Sequence, residues 1–461
     1  MTIEELRKSL LIDRTNGYNR ITPQQRDEME AYAARYSTFI STCKTEREAV
    51  SWAVAAAEER GFVPAVPGMA LKPGDKVYLD NRGKSILLAV MGTEPLEDGV
   101  NICGAHIDSP RMDLKPNPMY EDNEIGYFKT HYYGGIKKYQ WVCVPLAIHG
   151  IVCRKDGSTV NIVIGEKDTD PVLMISDLLI HLSADQLQKP LAKGIEGEQL
   201  NVIIGSEPLT GEGSELVKLN LMKLLNEQYG ITEADFHSAE LCLVPAGTSR
   251  EVGLDRSLLG AYGHDDRVCS YAQLEAIFSL QMPRRTAVCI LADKEEIGSA
   301  GLSSMESMAF EYFMDILCAS QNANMVRCFT NSFCLSADVS MAYDPNFPEV
   351  CDPRNTARLN HGLGVCKYTG TKGKSFASDA SAEVMSKIRT ILDDAGVIWQ
   401  MATLGKVDQG GGGTIAYTMA NRNIPTVDAG VPVLSMHAPM EIVSKLDNYM
   451  ALLACKAVFN S

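Results

Sequence analysis

The sequence predicts an α/β protein whose α/β domain is interrupted by a β-rich domain. Helix-like and strand-like segments alternate at both ends of the chain, whereas strand-like segments dominate from about residue 115 to 254. Such alternation is typical of a mostly parallel sheet with helices on both faces. The length of 461 residues also exceeds what one small core usually serves. We therefore expect one domain from residues 1–114 and 255–461 and an inserted domain from residues 115–254.

The first segment begins with helices and continues with strands. Thr22 and Pro23 begin a helical run, and Thr45 with Glu48 forms a capping-box pattern before the next helix. From Lys76 onward the period becomes that of strands, in "KVYLDN", "SILLAVMG" and "GVNICGAHID". These strands would form the first part of the α/β sheet.

The inserted segment contains a predicted hairpin. Two strand-like runs in "YQWVCVPLAIHGIVCRKDGSTVNIVIGE" are joined by Lys155-Asp156-Gly157, and Asp-Gly is a strong hairpin signal.

The last segment returns to alternation. Helices are predicted over residues 268–280, 303–321, 378–396 and 446–460, and strands over 287–293, 333–338, 398–404 and 425–432.

Composition excludes several classes of protein. A formal net charge of -15 disfavours nucleic acid and anionic membrane as partners, because phosphate binding needs a positive surface. The chain begins without the apolar core of a signal peptide, and no stretch approaches the roughly 18 apolar residues of a membrane span. We predict a cytoplasmic protein.

The thirteen cysteines are odd in number, sit mostly in apolar runs and form no Cys-x-x-Cys pair. We therefore expect buried thiols rather than disulfides or a thiolate zinc site.

Histidines and acids cluster where apolar strands end or helices begin. Each has an ordinary interpretation as a core histidine, a helix cap, a turn residue or a solvated glutamate pair. The residues are His106 with Asp108 in "GAHIDSP", Asp265 with Asp266 in "GHDDR", Glu295 with Glu296 in "ADKEEIGSAG", Asp338 in "SAD", and His437 in "MHAP".

Their shared position in the predicted fold favours a metal site. The carboxyl ends of parallel strands meet at one edge of a sheet, where ligands bind. Two imidazoles and several carboxylates without a thiolate suit zinc, with manganese or cobalt as competitors. Two metal ions could share one carboxylate and acidify a bridging water, and a glutamate beside a ligand glutamate would serve as general base. The pattern indicates a hydrolase.

Six ordered motifs across residues 104–447 resemble a known family. They are "GAHIDSPRMDLKPNP", "THYYGGIKKYQW", "GHDDR", "DKEEIGSAG", "SADVSMAYDPNF" and "SMHAPMEIVSKLD". Together they resemble the M18 metalloaminopeptidases, and more closely the aminopeptidase I branch than aspartyl aminopeptidase.

The resemblance implies a role for each residue. It implies that His106 and Asp338 bind one zinc ion, that Glu296 and His437 bind the other, and that Asp265 bridges the two. Glu295 would be the general base and acid, Asp108 would orient His106, and Asp266 would shape the turn at Asp265.

The resemblance also implies an architecture and an assembly. The expected fold is a three-layer α/β/α zinc-peptidase domain with an inserted β-rich dimerisation domain. Family members assemble as tetrahedral dodecamers built from dimers. His181 would then reach a neighbouring subunit's site, or else lie on an amphipathic helix.

The implied activity is hydrolysis of the N-terminal residue from peptides. A deblocking deacylase or carboxypeptidase on the same two-zinc scaffold is an alternative, and a catalytically silent assembly or cargo protein is another.

Two lysines bear on substrate preference. Lys372 and Lys374 either bind an acidic substrate side chain or are ordinary loop lysines. Likeness to the aminopeptidase I branch favours neutral or broad substrates. "QGGGGT" is predicted to be a tight turn near the site, since no Gly-Lys-Ser/Thr of a phosphate loop follows.

Overall fold

The computed structural model describes residues 1–461, which form three β-sheets and their covering helices. The helices are α1 (Ile3–Leu10), α2 (Pro23–Thr42), α3 (Glu46–Glu58), α4 (Ala184–Gln188), α5 (Leu191–Gly194), α6 (Leu216–Tyr229), α7 (His264–Phe278), α8 (Ala309–Ser320), α9 (Met325–Asn331), α10 (Ala382–Asp394), α11 (Ala416–Asn421) and α12 (Lys445–Asn460). None of them is both long and apolar enough to cross a membrane.

The first ten strands lie between residues 63 and 245. They are β1 (Val63–Pro64), β2 (Lys76–Asn81), β3 (Ser85–Val90), β4 (Asn101–His106), β5 (Arg111–Asp122), β6 (Ile125–Tyr133), β7 (Leu146–Cys153), β8 (Thr159–Ile164), β9 (Val202–Gly205) and β10 (Ala239–Pro245). The remaining ten are β11 (Arg250–Val252), β12 (Leu258–Ala261), β13 (Ala287–Ala292), β14 (Phe333–Ser336), β15 (Ser340–Met341), β16 (Leu363–Cys366), β17 (Trp399–Met401), β18 (Thr426–Gly430), β19 (Pro432–Leu434) and β20 (Glu441–Ser444).

A nine-stranded sheet forms the centre of the protein, in the order β1-β2-β3-β13-β4-β14-β18-β16-β17. Its middle strands β13, β4, β14 and β18 are parallel neighbours. One face packs against α2, α3, α7, α10 and α12, and the other against α8, α9 and α11. The predicted α/β/α layering is confirmed. In the register, His106 at the end of β4 lies beside Ala292 of β13, and Gly104 lies beside Ser336 of β14, so three strands end at the same edge.

A second, six-stranded sheet is made only of residues between 111 and 245, in the order β8-β7-β10-β5-β6-β9. All its pairings are antiparallel. The hairpin predicted at Asp156-Gly157 joins β7 and β8, and Gly157 adopts a φ of 84° that suits glycine. The sheet has its own apolar core. The division of the chain at residues 114 and 254 stays a prediction.

A five-stranded sheet, β11-β12-β20-β19-β15, was not expected from the sequence. Its strands are two to four residues long, which is too short to show a period of two. The loop between β19 and β20 carries His437.

The helix predicted from residue 303 begins at Ala309. Its predicted start is wrong because the preceding residues form turns, in which the hydroxyl of Ser303 donates to Asp293 at 2.5 Å. All thirteen cysteines are free thiols, and eleven are buried as predicted, whereas Cys143 is exposed and Cys153 half-buried.

Candidate active site

His106 is the last residue of β4, and its side chain is almost fully buried. Its Nδ1 lies 3.0 Å from the backbone oxygen of Asp108. Its Nε2 lies 3.2 Å from Oδ1 of Asp265 and 3.9 Å from Oδ1 of Asp338. The strand end thus presents one imidazole nitrogen to two carboxylates.

His437 approaches the same carboxylate from the five-stranded sheet. Its Nδ1 lies 2.7 Å from the backbone oxygen of Gly135. Its Nε2 lies 3.1 Å from Oδ2 of Asp265 and 3.4 Å from Oε1 of Glu296. The carboxylate of Asp265 therefore lies between the two imidazoles, with one oxygen facing each.

The hydrogen bonds of the two rings require positive charge at each Nε2, supplied by either a proton or a metal ion. A backbone oxygen can only accept a hydrogen bond, so each Nδ1 carries a proton and donates it. Each Nε2 then either carries a second proton or gives its lone pair to a metal ion, since a bare lone pair facing a carboxylate would be repelled. Burial lowers the pKa of His437, but the carboxylates of Asp265 and Glu296 outweigh this effect and raise the pKa to about 10. An Nδ1–H bonded to a backbone oxygen is the usual state of a metal-bound histidine.

Helix α7 begins at this point and supplies two aspartates. Asp265 and Asp266 depart from helical φ/ψ angles, and the peptide bond between them is cis. Burial raises the pKa of Asp265, but hydrogen bonds with the two imidazoles outweigh burial and keep the pKa well below its ordinary value. Oxygens of Asp266 and Asp338 and a nitrogen of His106 lie within 4.8 Å of one another. Oδ1 of Asp266 is buried without a hydrogen-bond partner. Asp266 therefore lies beside other groups that could hold a metal ion, and it also departs from helical geometry at the turn that presents Asp265.

Glu295 and Glu296 follow β13 in a single 3₁₀ turn. Lys294 before it and Gly298 after it have φ values of 67° and 93°. The backbone N–H groups of Glu295 and Glu296 both donate to the buried carboxylate of Asp108, each at 3.1 Å. Burial raises the pKa of Glu295 to about 7. Oε1 of Glu296 is buried without a hydrogen-bond partner, as expected of an oxygen reserved for a cation.

Glu441 supports the opposite side of the site and was missed by sequence reasoning. It is 1% exposed, and its carboxylate accepts the N–H of Asp265 at 3.0 Å and the N–H of His437 at 2.6 Å. Burial raises its pKa to about 8. The only sequence signal is its place in the quoted "SMHAPMEIVSKLD" motif, because its second partner, Asp265, lies 176 positions away in the chain.

The inserted sheet also reaches the site, through the residues that follow β6. A Cβ on Gly134 would lie 3.3 Å from the side chain of Glu296, and one on Gly135 would lie 3.5 Å from Nδ1 of His437. The hydroxyl of Tyr133 donates to Oδ2 of Asp108 at 2.8 Å. These residues belong to the "THYYGG" motif, for which sequence reasoning assigned no role.

A cavity of about 580 Å³ opens over the cluster. Its lining includes Lys372, Lys374 and the predicted turn at Gly410–Gly413. The ammonium of Lys374 is 3.1 Å from Asp379 and 4.2 Å from the ring centre of Tyr368. Lys374 is therefore already paired, whereas Lys372 makes no ion pair within 4 Å. His181 lies apart from the cavity, on an exposed 3₁₀ turn rather than an α-helix.

Comparison with known proteins assigns the family. Residues 39–459 match the M18 peptidases, described as aminopeptidase I zinc metalloprotease. The chain belongs to the M18 family. A probable M18 family aminopeptidase 1 from Clostridium acetobutylicum is 50% identical over 449 residues, covering 95% of this chain and 97% of that relative.

Solved structures of M18 proteins share the fold. The crystal structure of aminopeptidase I from C. acetobutylicum is 46% identical, has a TM-score of 0.93, and covers 98% of this chain and 100% of its own. A dodecamer of S. cerevisiae mApe1 is 20% identical with a TM-score of 0.76, covers 94% and 97% of the two chains, and shows the fold alone.

The predicted family, fold class and enzyme class are confirmed. The protein is a metalloaminopeptidase of the M18 zinc family. The buried nitrogen and oxygen donors described above, without a thiolate, fit zinc.

Proposed function

We propose that this M18 protein is a two-zinc aminopeptidase that removes the N-terminal residue from peptides. The observation that carries this proposal is the position of Asp265, whose two carboxylate oxygens face two different imidazoles at 3.2 and 3.1 Å. A carboxylate that faces two metal-type nitrogens in this way is suited to bridge a pair of ions.

The remaining donors divide between the two imidazoles. His106 and Asp338 would hold one zinc ion, and His437 and Glu296 the other, with Asp265 shared. Manganese and cobalt accept the same nitrogen and oxygen donors and are possible substitutes. Asp108 would fix the orientation of His106, and Asp266 would shape the turn that presents Asp265.

Glu295 would act as the general base and then as the general acid. When bound, the zinc ions would polarise the scissile carbonyl and make the attacking water more acidic. The carboxylate of Glu295 lines the cavity beside Glu296, so it can accept a proton from that water. It would pass the proton to the departing amine of the peptide, which leaves Glu295 ready for another cycle.

We propose neutral or broad N-terminal residues rather than strictly acidic ones, on the likeness to aminopeptidase I. An acid-selective pocket needs a free cation, and Lys374 pairs with Asp379, a carboxylate that it shares with Lys367. Lys372 and Lys406 line the cavity without an ion pair and are the remaining candidates for binding an acidic substrate.

We also propose a homo-oligomer, in the form of a dodecamer built from dimers through an inserted domain of residues 115–254. The solved mApe1 dodecamer with the same fold supports this assembly. Apolar side chains around His181 are exposed, among them Leu179, Ile180 and Leu182, and exposed apolar patches mark interfaces. His181 would then contribute to a neighbouring subunit's site. The cytoplasmic location stays a prediction.

An assay on the zinc-loaded enzyme tests the function. We expect Leu or Met to be released from aminoacyl substrates at least as fast as Asp or Glu from their substrates at equal concentration. An N-acetylated peptide is the matched control, because an aminopeptidase requires a free amine. Equal cleavage of the acetylated peptide would favour the deacylase alternative and overturn the proposal.

A further inference from the structure

We propose that Tyr133, at the end of β6, is a positioning residue that holds the Glu295–Glu296 turn in place through Asp108. This inference rests on the proposed function, since it concerns the residues assigned there as base and zinc ligand. It assigns to the six-stranded sheet a direct part in building the metal site of its own chain.

Asp108 is the point at which three parts of the site meet. Its carboxylate is 0% exposed. Oδ1 accepts the N–H of Glu295, and Oδ2 accepts the N–H of Glu296, each at 3.1 Å. Nδ1 of His106 is 3.3 Å from Oδ1. Any rotation of this carboxylate would therefore displace a ligand, the base or both.

Tyr133 supplies the only side-chain hydroxyl that donates to this carboxylate. Its O–H donates to Oδ2 at 2.8 Å. Burial raises the pKa of Tyr133 above its ordinary value, so the hydroxyl keeps the proton that it donates. Without the hydroxyl, Oδ2 would keep one donor, and the carboxylate could turn about its terminal bond, whose torsion is broad.

The ring of Tyr133 is held by a cation–π contact with Arg111. The guanidinium of Arg111 lies 4.4 Å from the ring centre. Nη1 of Arg111 donates to Glu46 of α3 at 2.6 Å, and Nε donates to Asp113 at 2.8 Å. A continuous series of contacts thus runs from α3 through the inserted sheet to the catalytic turn.

Tyr133 also lies outside the substrate cavity. It lines a separate cavity of about 330 Å³, together with Asp293 and Lys294. A substitution of Tyr133 should therefore change turnover and metal binding without a change in substrate affinity.

The test compares Tyr133→Phe with Tyr120→Phe. Tyr120 lies in the same sheet, stacks on Tyr127 at 5.2 Å and makes no hydroxyl hydrogen bond, so it controls for loss of a tyrosine hydroxyl. Zinc affinity is measured by competition with a chelator, and kcat and KM with an aminoacyl substrate. For Tyr133→Phe we expect zinc affinity and kcat each to fall about tenfold, with KM unchanged. Tyr120→Phe should match the wild type.

A double substitution separates positioning from general packing. If Tyr133 acts through Asp108, then Tyr133→Phe should change zinc affinity less than about twofold in an Asp108→Ala background. An equal loss in both backgrounds, or wild-type zinc affinity and kcat in Tyr133→Phe, would overturn the inference. Because zinc affinity is read without substrate, failure of the peptidase assay in the wild type would count against the proposed function alone.

Discussion

Two buried clusters in this protein combine histidine with carboxylates, and only one has the character of a metal site. The first is the proposed zinc centre around His106 and His437. The second surrounds His149 of β7, whose Nδ1 is 2.7 Å from Glu48 and whose Nε2 is 2.9 Å from Glu166. Both imidazoles and carboxylates are therefore common to the two regions, and residue type alone does not separate them.

Charge balance separates them. In the His149 cluster Lys44 lies 2.6 Å from Glu166, so two cations face two carboxylates, and both imidazole nitrogens are taken by side-chain oxygens. In the proposed zinc centre no lysine or arginine pairs with Asp265, Asp338 or Glu296, and Oε1 of Glu296 is left without a hydrogen-bond partner. The first cluster is complete as a structural ion-pair network, whereas the second lacks positive charge that metal ions would supply.

The largest effect is expected from removing the proposed base, Glu295. Glu295→Gln keeps the shape of the side chain but cannot accept the proton of the attacking water. We expect kcat to fall by about 10²–10⁴-fold while zinc content, measured by inductively coupled plasma mass spectrometry, stays that of the wild type. Glu48→Gln, in the His149 cluster, is the matched control and should keep its kcat. Activity within a few-fold of the wild type in Glu295→Gln would rule out its assignment as base.

The next effect concerns metal content. His437→Ala removes a nitrogen from one half of the zinc centre, so the protein should hold about one zinc ion fewer per chain and lose turnover. His149→Ala should leave zinc content unchanged. Equal zinc loss in both variants would show that charge balance does not distinguish the two clusters.

A smaller effect concerns stability. His149→Ala leaves the carboxylates of Glu48 and Glu166 facing each other across a gap, with one cation between them. We expect a loss of about 1–3 kcal/mol in the free energy of unfolding, below the full value for a buried pair because both glutamates retain some exposure. Thermal unfolding of His149→Ala beside the wild type measures this loss of stability. An unchanged Tm would contradict the prediction.

The smallest effect is the pH dependence of the stabilisation that His149 provides through Glu48 and Glu166. Burial lowers the pKa of His149, but hydrogen bonds to Glu166 and Glu48 outweigh it and raise the pKa above its ordinary value. The stabilisation is therefore fully present below about pH 6.5, the usual histidine pKa, and is lost as pH rises through the raised pKa. Lys44 is the other charged group facing Glu166. The Tm difference between wild type and His149→Gln should shrink as pH rises. A difference that grows with pH would contradict the raised pKa of His149.

The sequence by itself determined the alternation of strands and helices, the family motifs and most of the residues proposed as zinc ligands. His106, Glu296 and Asp338 could be placed together because each lies at or just after the end of a strand of one sheet, and parallel strands in register end at one edge. A local pattern is enough for such residues, since the rule for parallel sheets supplies the long-range step.

Only the tertiary structure decided what surrounds those ligands. His437 comes from a separate sheet of very short strands, and its Nδ1 meets the backbone of Gly135, a residue 302 positions away in the chain. Glu441 and Tyr133 orient the site through contacts with backbone groups or carboxylates on other segments. Such contacts leave no period or spacing in the sequence, because the partners are brought together by the packing of three sheets and not by the chain between them.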